Sequence, residues 1–210
     1  MMTEAALLEA DGQPDSPRGG VAAAAQGPMA PALGDAFRAD EPGAFEQVVA
    51  IHEPRLSRLV YRMLGWREAS RVEDIVQDVF LAALTHRRRF RGEAELGTWL
   101  AAIAVNRCRS HQRRQRLARW IRLLGQTNGD AEATWAAPAS AERSAKVRAA
   151  VQSLPPRDRE VIVLKYFESL SAAEIAAVTH QSANAVEVRL HRARARLAAA
   201  LGPWHREESR

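Results

Sequence analysis

The sequence predicts an all-α protein: two small helical domains joined by a flexible linker, the C-terminal one a helix-turn-helix. Three observations carry this. Apolar residues recur with helical spacing over long stretches, as in Val72, Ile75, Val76, Val79 and Phe80, or Val186, Leu190, Ala193 and Leu197. Residues 125–142, GQTNGDAEATWAAPASAE, are small and polar apart from Trp135 and have a linker's composition. Ser171-Ala172-Ala173-Glu174 is a capping box, in which the Ser hydroxyl and Glu carboxylate satisfy each other's orphan amides at a helix start.

Residues 1–34 form a separate block rich in Ala, Gly and Pro, broken by Asp11-Gly12, Pro14, Pro17, Gly19-Gly20 and Pro28, and are expected to be disordered. Glu4 and Glu9 and an apolar run of only Ala5 to Leu8 argue against a signal peptide. No stretch is long and apolar enough for membrane insertion, so a cytoplasmic protein is expected. The single cysteine, Cys108, excludes an internal disulfide and suits a reducing compartment. It stands i, i+3 from His111, but no other metal ligands cluster nearby, so no metal and no cofactor are expected.

The first domain is expected over residues 35–124. Ala44 to Met63 has a helical pattern, with Phe45, Val48, Val49, Ile51, Leu56, Leu59, Val60 and Met63 apolar and Pro54 expected to break or kink it. Gly65-Trp66 marks a turn. From Arg71 to Leu84 a strongly amphipathic helix buries Val72, Ile75, Val76, Val79 and Phe80 and leaves Glu73, Asp74, Gln77 and Asp78 outside; acids early in a helix are favoured by its dipole alone. A loop from Arg87 to Gly97 leads to a second long helix, opened by Thr98-Trp99-Leu100 and running to about Leu124. The chain's net charge is +5, yet between Thr85 and Arg122 eleven arginines face only Glu93 and Glu95, a local +9. Charge concentrated in this way is the footprint of a polyanion-binding surface, although basic runs also occur as solvated faces.

The second domain is expected over residues 143–203, with 204–210 as a tail. Ser144 to Ser153 reads as a helix, and a second helix follows Pro155-Pro156 with Val161, Ile162, Leu164 and Phe167 as core. The capping box then opens a helix whose apolar face is Leu170, Ile175, Ala176 and Val178. Thr179 to Asn184 has turn chemistry, with Ser182 as cap for the last helix. On that helix, at about 100° per residue, Asn184, Val188, His191, Arg192 and Ala195 point away from the apolar stripe and Glu187 and Arg189 flank it. Such a face fits a major groove, although paired helices of this kind also occur in proteins that never touch DNA.

Taken together, Leu154-Pro155 to Arg159, LSAAEIAAV and AVEVRLHRARARL closely resemble the promoter −35 binding domain of bacterial sigma factors of the extracytoplasmic-function (ECF) group. The upstream half agrees. EDIVQDVFLAAL resembles the segment with which sigma factors clamp the coiled coil of the largest polymerase subunit, which makes Asp74, Gln77, Asp78 and Phe80 core-binding candidates. FRGEAELGTWLAAIAVN resembles the −10 recognition segment. The resemblance implies that the loop from Phe90 to Gly97, including Arg91, walls a pocket for a flipped base, that Asn106 presents an amide to its edge, and that Arg107, Arg109, Arg113 and Arg114 contact phosphates. Trp99 belongs to the same segment, but a core position fits it better than base stacking. Asn106 is a poor helix former in mid-helix, which favours a functional reason for it.

A sigma factor would recruit core RNA polymerase, through its β′ and β subunits, to promoter DNA; many members are restrained by an anti-sigma factor, so such a partner is implied. It is not an enzyme, and no nucleophile-base pair or phosphate loop is visible. The expected −35 readers are Ser182, Asn184, Glu187, Val188, Arg189, His191 and Arg192. Glu187 stands where many members carry a basic residue, and Val188 where many carry a small hydroxyl residue. A changed −35 preference is therefore expected, since Val can pack on a thymine methyl and Glu can accept from a cytosine amino group. Two other classes remain open on the residues: a regulator binding duplex DNA without polymerase, and a decoy that only binds an anti-sigma factor. The eleven arginines argue against the decoy, which has no need of a phosphate-binding surface.

Overall fold

The computed structural model describes residues 30–66, 68–124 and 139–207; within them every regular element is helical. The helices are α1 (Ala30–Ala39), α2 (Ala44–Met63), α3 (Ala69–Thr85), a 3₁₀ turn (Arg87–Arg89), α4 (Leu96–Leu124), α5 (Ala139–Ser153), α6 (Pro156–Tyr166), α7 (Ala172–Thr179) and α8 (Ala183–Glu207). Most of the linker expected at 125–142 lies outside the described residues, although α5 begins within it at Ala139. Of the N-terminal block, residues 30–34 belong to α1.

In the first domain α2, α3 and α4 pack on one another around Val48, Leu59, Val60, Val79, Leu100, Ala104 and Val105, all fully buried. α1 adds Phe37, stacked on Phe45 with ring centroids 6.4 Å apart. Pro54 does not break α2, which is continuous from Ala44 to Met63. Pro54 lies on the exposed side, as does Ala50, whose carbonyl loses its partner, so water can satisfy that group while both halves of the helix stay anchored by Val48, Leu56 and Leu59. Ile51, one of the apolar positions of the helical pattern, is 58% exposed.

The second domain closes over Val161, Ile162, Leu164, Ile175, Val186, Leu190, Ala193 and Leu197; the predicted stripe of the last helix is the buried one. The capping box at Ser171 is complete: the Glu174 amide donates to Ser171 Oγ at 3.2 Å, and the Ser171 amide donates to the Glu174 carboxylate at 2.8 Å. Those bonds from Ser171 hold the Glu174 carboxyl below the usual carboxylate range. Its folded pKa lies below its unfolded one, so its contribution is present at neutral pH and is lost as the pH falls through the lowered folded value. Ser171→Ala is expected to cost about 1 kcal/mol and to remove part of this acid sensitivity, which urea melts at neutral pH and near pH 4 would compare.

Candidate nucleic-acid interface

Three surfaces collect the candidate residues. The first is the outer side of α8. Ser182 caps the helix, accepting from the Ala185 amide at 3.2 Å, and Asn184, Glu187, Val188, His191 and Arg192 are all exposed, with Val188 at 43%. The fully buried stripe beneath fixes their direction. Arg189 is the exception: it is half-buried and donates to Asp158 at 3.3 Å, and Arg196 pairs with the same carboxylate.

The second surface is the basic side of α4 with the loop before it. Asn106, Arg107, Arg113 and Arg114 are exposed and, with Trp99, fall on one side of the helix by their spacing. Arg88 to Ala94 and Trp99 line an open cleft of about 510 Å³. Its floor is aromatic. Phe90 is buried and its ring lies 5.6 Å from that of the partly exposed Trp99, while Arg91 stands out in solvent beside Glu93 at 3.8 Å. Trp99 thus both packs on the core and borders the cleft. Cys108, on the opposite side, is fully buried, and burial pushes its thiol up to about 12; His111 is taken by Glu68 at 2.6 Å.

Arg109 stands apart from its neighbours. Its Nε and Nη2 donate to the Glu160 carboxylate on α6 at 2.8 Å and 2.5 Å, and its Nη1 donates to the Thr179 carbonyl at 3.2 Å. Only 12% of the Arg109 side chain and 2% of the Glu160 side chain are exposed. A second such contact joins the domains where Arg55 donates to Glu168 at 2.6 Å, with Arg62 over the Phe167 ring and Trp66 edge-on to it. Burial raises the Glu168 carboxyl, an effect Arg55 and Arg62 only partly offset. No local pattern in the sequence signals either pairing.

The third surface is the outer side of α3. Asp74, Gln77 and Asp78 are exposed in one row. Phe80 is not: it is 6% exposed and meets Phe45 edge-on, in keeping with the helical periodicity rather than with direct contact to a partner. Leu81, which no motif singles out, continues the row at 62% exposed, an apolar residue beside acids.

A helix-turn-helix preceded by a basic, aromatic-floored cleft has counterparts among known proteins. The sigma-70 region 2 model matches residues 48–118 and the sigma-70 region 4 model matches residues 144–197. The chain is 32% identical to RNA polymerase sigma factor CarQ of Myxococcus xanthus, over 83% of this chain and 98% of that one. It belongs to the sigma-70 family of sigma factors. Its relatives place it in the ECF group: it is 30% identical to the ECF RNA polymerase sigma factor SigW of Bacillus subtilis, over 72% of this chain and 85% of SigW. Among solved structures, CnrH in complex with the cytosolic domain of CnrY is similar at 31% identity and a TM-score of 0.62, covering 83% of this chain and 98% of that one. In this sigma factor region 2 therefore comprises most of α2 to α4, and region 4 runs from α5 into α8. α1 lies ahead of the region 2 match.

Proposed function

We propose that this ECF sigma factor recruits core RNA polymerase through the Asp74, Gln77 and Asp78 row of α3, reads the −35 element with the outer side of α8, and captures a −10 base in the cleft between Arg88 and Trp99. The observation that carries the reading is the order, along one chain, of a basic cleft with aromatic lining and an exposed polar side of the last helix, each set on a helix whose apolar side is buried. On region 4, Asn184, Glu187, Val188, His191 and Arg192 reach base edges or phosphates and Ser182 sets the start of the helix. On region 2, Asn106 offers its amide to the flipped base, Arg107, Arg113 and Arg114 hold the backbone, and Arg91 and Trp99 border the pocket. Arg109 joins them once Glu160 releases it, and Arg189 once Asp158 does.

The protein acts as a transcription initiation factor rather than as a catalyst, and works in the cytoplasm where polymerase and promoter meet; no described helix is long and apolar enough to cross a membrane. The solved complex of CnrH with the cytosolic domain of CnrY supports a protein partner for this chain as well; in this reading that partner is an anti-sigma factor, and a signal that releases it switches on the regulon. Footprinting tests the reading against a polymerase-independent regulator. Protection of both promoter elements is expected only with core polymerase present, and Glu187→Lys with Val188→Ser is expected to shift the preferred −35 sequence. Protection of duplex DNA by the protein alone, or an unchanged preference in the double variant, would contradict it.

A further inference from the structure

The α1 helix carries a role outside the matched region 2 segment, and the inference rests on the base-capture reading of the Arg88 to Trp99 cleft. Two sets of contacts tie α1 to the back of that cleft. Gly34 approaches Phe90 so closely that a Cβ there would lie 2.8 Å from ring atom Cε1, and Phe37, 1% exposed, packs against Trp99 with ring centroids 6.4 Å apart. Phe90 and Trp99 are the floor of the cleft, so the helix supports its aromatic floor from behind. At its C-terminal end Asp40 takes a left-handed conformation, φ 64°, and its carboxylate pairs with Arg87. Arg87 also donates to the Leu84 carbonyl at 3.2 Å, so the guanidinium that Asp40 holds also braces the last turn of α3, just ahead of the cleft wall.

We propose that α1 is a positioning element for −10 base capture, with Gly34 setting the place of the Phe90 ring and Asp40 the place of the Arg87 to Arg91 wall. A cleft that must accept one base against an aromatic floor is sensitive to small displacements of that floor. Neither Gly34 nor Asp40 lines the cleft, so each acts through a neighbour. Glycine is a weak choice inside a helix, because it loses more backbone freedom than alanine on ordering. The contact with Phe90 supplies a reason for it.

The test compares holoenzymes carrying Gly34→Ala, Asp40→Asn, Asp40→Glu and Asn106→Ala in the full-length chain. Two quantities are read: affinity for core polymerase, and permanganate reactivity of unpaired thymines at the −10 element of a promoter. Gly34→Ala gains helix propensity but must displace the buried Phe90 ring, so it is expected to lower the melting temperature by only a few degrees and to leave core affinity intact, while lowering thymine reactivity about tenfold, the size of one lost base-stacking contact. Asp40→Asn should lower it in the same direction, and Asp40→Glu should restore it. The proposal is overturned if Gly34→Ala and Asp40→Asn open the promoter as the parent does while Asn106→Ala fails. It also falls if they lose core binding and opening in parallel, as a general folding defect would. If Asn106→Ala itself opens the promoter normally, the base-capture reading fails and takes this inference with it.

Discussion

Reversing two charges on α3, Asp74→Lys with Asp78→Lys, is expected to weaken binding to core polymerase by about a hundredfold, from roughly 1.4 kcal/mol at each position. Both side chains are exposed. Among the described residues the ion pair lost is Arg71 to Asp74 at 3.1 Å, a solvent-exposed i, i+3 pair of the kind that contributes little to stability. The fold should therefore persist, with unchanged helix content and melting temperature, and the loss should appear as a faster off-rate on immobilised polymerase. Leu81→Ser offers a finer probe of the same surface. An apolar residue 62% exposed at the end of an acidic row is well placed to become buried on binding. Unchanged affinity in the double variant would mean that polymerase is held elsewhere.

The second large effect is expected at Glu160. Replacing one partner of a buried ion pair costs about 3–5 kcal/mol, because the remaining charge is left without compensation. In Glu160→Gln that charge is Arg109, which can escape the cost by reaching water if the two regions part. The expected result is separation rather than unfolding: a larger radius of gyration by small-angle scattering, with little loss of helix. There is a functional reason to expect no loss of activity. The −35 and −10 elements lie roughly 25 base pairs apart, about 85 Å of duplex at 3.4 Å per step, whereas a compact body of this size spans roughly 40 Å. If the two surfaces read the −35 and −10 elements as proposed, the contacts of Arg109 with Glu160 and of Arg55 with Glu168 open before both elements are read together. Promoter binding by the Glu160→Gln holoenzyme should equal or exceed that of the parent. A compact variant, or one that binds core but no longer binds promoter, would count against this account.

These pairings mark the limit of what the sequence shows. The capping box at Ser171, the cap at Ser182 and the buried stripe through Val186, Leu190, Ala193 and Leu197 are local and periodic, so the period of the helix dictates them directly. The outward direction of Asn184, Val188, His191 and Arg192 follows from the same period. Arg109 and Glu160 are 51 residues apart and Arg55 and Glu168 are 113 apart, and no local pattern encodes such meetings. Arg109 and Arg113 look alike in the sequence; one is buried against a carboxylate and the other is exposed. Phe80 shows two signals in competition. Its spacing from Val76 and Val79 puts it in the core, while the motif around it suggested a partner-facing role, and the structure follows the spacing. α1 is not legible in the sequence because Gly34 weakens its helical pattern and it adjoins an Ala, Gly and Pro-rich block, so its support comes from Phe37 and the rings it meets rather than from propensity.

The most direct test is abortive transcription by purified core RNA polymerase, with and without this protein, on DNA from upstream of its own gene. Short RNA products that depend on the protein and are lost with Asn106→Ala are the predicted result. They would establish promoter-specific initiation and base capture by α4 in one assay. Products that form equally well without the protein, or full activity in Asn106→Ala, would contradict the account.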